Sequence, residues 1–268
     1  MQYIISAPHY DWRDVAHGLE RAQREFGLDG VELSWHYEFV PPHCSRQNLG
    51  VLARAKGTHG LLLVAHIWEN LAELGPGPAE PALYRWLDLC PQTGVTGLVI
   101  HGGSYPDRHE GIRRTRAILE RVLPRFERAG VTLYLENHYA FDHHACHELF
   151  SEPWEFLEVL PLNSPSLAFC FDTGHGHMTR NWDALITRLA PWLRHVHLAD
   201  NHGAEDDHLM FRRGTVPWDA MFDRLAAVGF DGTFCVEFPV REDPAPFRAC
   251  VRELRRRWPD TRYCAPSM

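Results

Sequence analysis

No run in this sequence reaches the roughly eighteen apolar residues that a membrane-spanning helix requires. The stretch from Met1 to His9 is short and is followed by Asp11 and Arg13, without the basic start and long apolar segment of a secretory signal. A soluble chain with no membrane partner is expected. Its seven cysteines, Cys44, Cys90, Cys146, Cys170, Cys235, Cys250 and Cys264, include no C-x-x-C pair and are odd in number. That argues against a disulfide framework and a cysteine zinc knuckle, and points to a reduced cytoplasm. Positive charge is scarce, with 27 Lys and Arg against 35 Asp and Glu and a formal net charge of −8. Long-range attraction to nucleic acid or an anionic membrane is therefore missing, and only a local basic patch would provide it. There is no G-x-G-x-x-G after an early strand to support a dinucleotide fold. Nor is there a low-complexity segment or a linker, since Gly75-Pro76-Gly77-Pro78 is short enough to read as a loop before a helix.

What is present is a chain of 268 residues, 45% hydrophobic with nine Trp, enough to bury a large core. One domain over residues 1–268 is the expectation. Short β-type runs recur at Tyr3–Ser6, Val31–Leu33, Leu61–Ala65, Gly97–Ile100, Val131–Leu135, Leu167–Phe171, His195–Leu198 and Thr233–Val236. Amphipathic stretches lie between them at Asp11–Phe26, Ala82–Cys90, Gly111–Ala129, Trp154–Leu160, Trp182–Leu189, Trp218–Val228 and Pro246–Trp258. Several of these close with glycine, as in Phe26-Gly27, Ala129-Gly130 and Val228-Gly229, a helix stop. Strands alternating with helices over this length predict an α/β fold, a single (β/α)8 TIM barrel.

In such a barrel the C-terminal ends of all strands meet at one mouth, so polar residues that close apolar runs converge in space. These are His66, His101, Glu136, Asp172, His175 one step further on, His197 and Glu237. A lone histidine at a strand end is commonly structural, but a carboxylate there is costly to bury without a partner. Several carboxylates and imidazoles at one mouth call for a cation among them. Mixed His and carboxylate donors suit Zn, Mn, Co or Fe and do not choose between them. After the seventh run, Asp206 and His208 have the D-x-H spacing that puts two ligands on one loop; taken alone, the segment reads as an ordinary acidic loop. Arg108, Arg113, Arg114, Arg212 and Arg213 lie where they would either bind a small phosphate or face solvent. Trp35, Tyr37, Trp68 and Tyr139 either line the pocket or pack the barrel.

The stretches Leu133-Tyr134-Leu135-Glu136-Asn137-His138, Phe171-Asp172-Thr173-Gly174-His175, and His197 to Gly203 running on to Asp206-Asp207-His208-Leu209 and Gly214 carry a family resemblance. They resemble the xylose-isomerase-like barrel superfamily, which contains sugar isomerases and epimerases, inosose-processing enzymes and the endonuclease IV group. The epimerase branch implies one metal on Glu136, Asp172, His197 and Glu237. It also implies Glu136 and Glu237 as paired proton carriers, with His175, His101, His66 and Asp200 near a sugar, sugar phosphate or polyol. The endonuclease IV branch implies up to three zinc ions, adding His66, His101, His175, Asp206 and His208 as ligands, and phosphodiester hydrolysis. Negative net charge and the absence of a dense basic run weigh against nucleic acid as the partner. One departure from the epimerase pattern is Gly203-Ala204, where an arginine is expected after the seventh-strand histidine. The sequence reading is thus a metal-dependent isomerase or epimerase, with a multi-zinc phosphoesterase as the alternative and a homo-oligomer left open. A degenerate barrel serving only for binding is disfavoured by the intact carboxylates.

Overall fold

The apolar runs form eight parallel strands: β1 (Gln2–Ser6), β2 (Gly30–Ser34), β3 (Leu62–Ile67), β4 (Gly97–Ile100), β5 (Thr132–Glu136), β6 (Leu167–Asp172), β7 (Leu193–Leu198) and β8 (Thr233–Val236). Each pairs with its neighbours in chain order, and β8 pairs with β1, so the sheet closes into a barrel. The computed structural model describes residues 1–6, 15–34, 50, 52–54, 57, 60–140, 142–143, 146–240 and 244–259. Trp35, Tyr37, Cys44, Cys264 and the start of the Asp11–Phe26 helix lie outside the described residues.

The crossover segments include helices α1 (Val15–Glu20), α2 (Leu71–Leu74), α3 (Pro76–Thr93), α4 (Arg108–Ala129), α5 (Pro153–Leu157), α6 (Thr173–Thr179), α7 (Trp182–Leu189), α8 (Trp218–Ala227) and α9 (Ala245–Arg257). Two features depart from the sequence expectation by more than a few residues at an end. Gly75-Pro76-Gly77-Pro78 is not a loop: α3 begins at Pro76, because proline in a first turn gives up an N–H that has no helical acceptor anyway. Helix α6 was not anticipated, since Thr-Gly-His-Gly-His-Met-Thr has no apolar period. It starts because the Asp172 carboxylate accepts the His175 N–H as an N-cap.

Strand pleating sets the positions of the site residues, since side chains two apart share a face. Ile4, Val64, Val99, Cys170 and Cys235 form a small apolar cluster, with Tyr134 packed on it, separate from the large core between strands and helices. Two residues further along, on the same face, come His66, His101, Asp172, Glu237 and Glu136. An apolar plug therefore closes the barrel below, and a ring of imidazoles and carboxylates lies above it. Between β4 and α4, and between β5 and α5, the short strands Ser104–Tyr105, Asp142–His143 and Cys146–Glu148 form a three-stranded antiparallel sheet beside the mouth.

Candidate functional site

Glu136, Asp172, His197 and Glu237 each bring one ligand atom to within 4.8 Å of the others, and all four are buried. His197 Nδ1 lies 3.0 Å from Glu136 Oε1 and 2.8 Å from Glu237 Oε2. Asp172 sits beside His197 in register, its Oδ1 held by the α6 cap at 2.6 Å. Its Oδ2 is buried with no hydrogen-bond partner among the described residues. A buried, unsatisfied carboxylate oxygen next to two further carboxylates and an imidazole is a donor set that fits a divalent cation.

A second group adjoins the first through Glu136. His101 Nε2 is 2.9 Å and His66 Nε2 is 3.4 Å from Glu136 Oε2, and the two rings meet edge to face. A third stands above α6, where Asp206 Oδ2 lies 3.2 Å from His175 Nε2 and 3.3 Å from His208 Nε2. All nine residues proposed from sequence as metal ligands thus form one connected network. Burial alone would raise Glu136, but His197 and His101 hold it well below the usual carboxylate range. Burial opposes charge on His197 and His175, yet the carboxylates of Glu136, Glu237 and Glu32 raise the first, and those of Asp172, Asp206 and Glu136 raise the second. His208, opposed by burial but bonded to Asp206 and near Glu237, is pushed up to about 10. Burial, chiefly, pushes Asp172 up to about 6, with Glu136, Glu237 and Asp206 adding to it against the pull of His175. His66 is lowered to about 4, first by burial, so it stays neutral and ready to coordinate.

The motif residues around the ligands hold them in place. Asn137, fully buried, accepts the Asp172 N–H and donates to the Asp172 carbonyl, tying the top of β5 to β6. His175 Nδ1 bonds the Asn137 carbonyl at 2.8 Å, which leaves Nε2 for Asp206. Thr173 exchanges hydrogen bonds with Ala199 of the β7 loop, and Asn201 donates to the Gly174 carbonyl. That loop folds back on itself through paired backbone bonds between Asp200 and Leu209. Gly214 packs so closely that a Cβ there would stand 2.3 Å from the Asn201 carbonyl oxygen. His208, at a φ of +45°, anchors its Nδ1 on the Glu237 carbonyl.

Asp200, which the family resemblance implied as a substrate contact, is fully buried, and its oxygens accept from Asn201 N, Val216 N and Trp218 Nε1. It organises the loop that carries Asp206 and His208 and does not face the mouth. Four of the five arginines are likewise engaged, Arg108 with Glu155 and Ser151, Arg113 with Glu110, Arg114 with the Ala72 and Glu73 carbonyls, and Arg212 with Asp219 and Glu253, while Arg213 is exposed. Trp68 and Tyr139 line the site. Trp68 is 51% exposed and stacks on His66, while Tyr139 packs on His138 and against His175. A small cavity at this point is bounded by Trp68, Glu69, Asn70, His101, His138 and Glu148.

Sequence reasoning missed Glu32. It lies within β2, is fully buried, and accepts from both His195 and His197. Its signal was a lone acid inside the apolar run Gly30-Val31-Glu32-Leu33, on the inward face.

Comparison with known proteins gives the family. A ketose 3-epimerase of Arthrobacter globiformis is 24% identical over 250 residues, covering 87% of this chain and 81% of that protein. An uncharacterised protein of Methanocaldococcus jannaschii is 23% identical over 228 residues, covering 79% and 76%. Among solved structures, the 3-keto-D-glucoside 4-epimerase of E. coli superposes with a TM-score of 0.74 at 18% identity, over 96% of this chain and 99% of that one. An AP endonuclease, family 2, from Brucella melitensis does so with a TM-score of 0.65 at 19% identity, over 89% and 94%. At these identities the structural matches speak for the fold. The model of the xylose isomerase-like TIM barrel family matches residues 20–257, and the chain belongs to that family.

Proposed function

We propose that this protein is a divalent-metal-dependent isomerase or epimerase acting on a small sugar or polyol. The observation that carries the reading is the buried quartet Glu136, Asp172, His197 and Glu237 at the C-terminal mouth. A divalent metal on these donors would polarise the carbonyl and neighbouring hydroxyl oxygens of a bound ketose. Glu136 and Glu237 stand on β5 and β8, three strands apart around a ring of eight, so they reach the centre from opposite sides. One carboxylate takes the proton from the carbon beside the carbonyl, and the other returns a proton to the opposite face. Trp68 offers its exposed ring to the apolar face of a sugar, and with Arg108, Arg113, Arg114 and Arg212 held by protein partners an unphosphorylated substrate is favoured over a sugar phosphate. The buried free thiols Cys90, Cys170, Cys235 and Cys250 support the cytoplasmic setting expected from sequence.

The test is exchange with solvent. Metal-loaded protein incubated in D2O with a panel of ketoses should introduce one deuterium at the carbon next to the carbonyl and yield the epimer or isomer. If no ketose exchanges, proton transfer by the glutamate pair is the wrong chemistry. A second reading, a multi-zinc phosphoesterase, is favoured by Asp206 standing between His175 and His208, which completes three adjoining ligand groups. Elemental mass spectrometry on protein purified without chelator separates the two. About one metal per chain supports the epimerase, whereas two to three zinc ions with phosphodiester cleavage support the hydrolase.

A further inference from the structure

Glu32 has no place in the quartet, yet it is a fully buried carboxylate directly behind it. Burying an acid in a barrel interior costs several kcal/mol unless partners hold it. Its Oε2 lies 3.0 Å from His195 Nε2 and 3.1 Å from His197 Nε2. A carboxylate only accepts hydrogen bonds, so both imidazoles present an N–H to it. For His197 this leaves Nδ1, on the far edge of the ring, as the atom facing Glu136 Oε1 and Glu237 Oε2. The second imidazole, His195, is buried against Tyr134 and shares the same oxygen, which keeps the Glu32 carboxylate from swinging up toward the mouth. The other oxygen, Glu32 Oε1, has no hydrogen-bond partner among the described residues and lies 3.7 Å from His66 Nδ1.

Building on the metal-centre reading above, we propose that Glu32 is the positioning residue of that centre. With a cation on Nδ1, Glu32 would hold the one remaining ring proton of His197 on Nε2 and place a negative charge behind that ligand. Carboxylates behind a ligating histidine set the ring's orientation and raise its basicity, and losing one typically weakens metal binding by about 10–100-fold.

The experiment compares Zn2+ binding by metal-stripped wild type and Glu32→Gln, using calorimetric titration. The amide keeps the shape of the side chain and removes its charge. The dissociation constant should rise by about 10–100-fold at unchanged stoichiometry. A merely structural role would lower the melting temperature and leave the affinity alone. Equal affinities overturn the proposal, and so does the loss of one whole ion per chain, which would make Glu32 a ligand itself. Should the variant fail to fold, 15N-histidine NMR of zinc-loaded wild type decides. A proton on His197 Nε2 with metal on Nδ1 is expected, and coordination through Nε2 overturns the idea. Wild type that binds no zinc, manganese or cobalt refutes the metal centre itself.

Discussion

Asp172→Asn should make the metal-free protein more stable while abolishing its response to metal. The Asp172 carboxyl rises from 3.8 to about 6 on folding, chiefly because burial penalises its charge. At about 1.4 kcal/mol per pKa unit, holding the ionised form costs the fold about 3 kcal/mol. Asparagine keeps the oxygen that caps the His175 N–H, and it forgoes only the attraction of a negative charge to the start of α6, about 0.3–1 kcal/mol. The net gain is about 2 kcal/mol. With an unfolding entropy of about 2.1 cal/mol/K per residue over 268 residues, this raises the melting temperature by about 4 °C. The pH dependence has a definite sign. The folded pKa is raised, so the penalty is absent below about pH 4, grows as pH rises, and is complete above about pH 6. The penalty falls from about 3 to about 1.6 kcal/mol on going from pH 8 to pH 5, so the advantage of the variant should shrink by more than half. Metal at a hundredfold excess over its dissociation constant stabilises wild type by about 2.7 kcal/mol, or about 5 °C. Thermal melts in chelator and then in Mn2+ or Zn2+ should show the two proteins exchanging rank. A variant that melts below wild type in chelator at pH 8, or gains as much from metal, would refute the reasoning.

Three further perturbations address other parts of the molecule. Glu136→Gln and Glu237→Gln should each lower kcat by about 10²–10⁴, the worth of a positioned acid or base; full metal content with full activity in both would dismiss the proton-transfer roles. Asp200→Ala should cost about 3 kcal/mol in urea unfolding, because the buried Val216 N–H and Trp218 Nε1–H lose their acceptor; a change under about 0.5 kcal/mol would show that the loop does not depend on it. Gly214→Ala should disrupt the same loop, since its Cβ would meet the Asn201 carbonyl and the Asp200 carboxylate. Wild-type zinc content and melting temperature in that variant would show that the close packing is dispensable.

Much of this architecture could be read directly from the chain. Apolar runs at even spacing define the eight strands because a buried parallel strand leaves few polar positions, and α/β alternation then admits little besides a barrel. The same rule exposed the ligands: a carboxylate or imidazole closing an apolar run, as at Glu136, Asp172 and Glu237, must sit where the strands end together. Local patterns also marked the helix stops, as Ala129-Gly130 does with a glycine φ of +65°. What the chain alone left open depends on partners far away along it. Asp172 ends β6 and Asp200 lies two residues beyond β7, and only the folded loop reveals that Val216 and Trp218 occupy Asp200 while an oxygen of Asp172 is left unpaired. Glu32 interrupts its strand in the middle, and its meaning comes from His195 and His197, more than 160 residues later, across the barrel interior. Strand alternation is a property of neighbours in sequence, so the sequence determined which side chains point inward. Which of them meet, and through which atom, was decided only when the barrel closed.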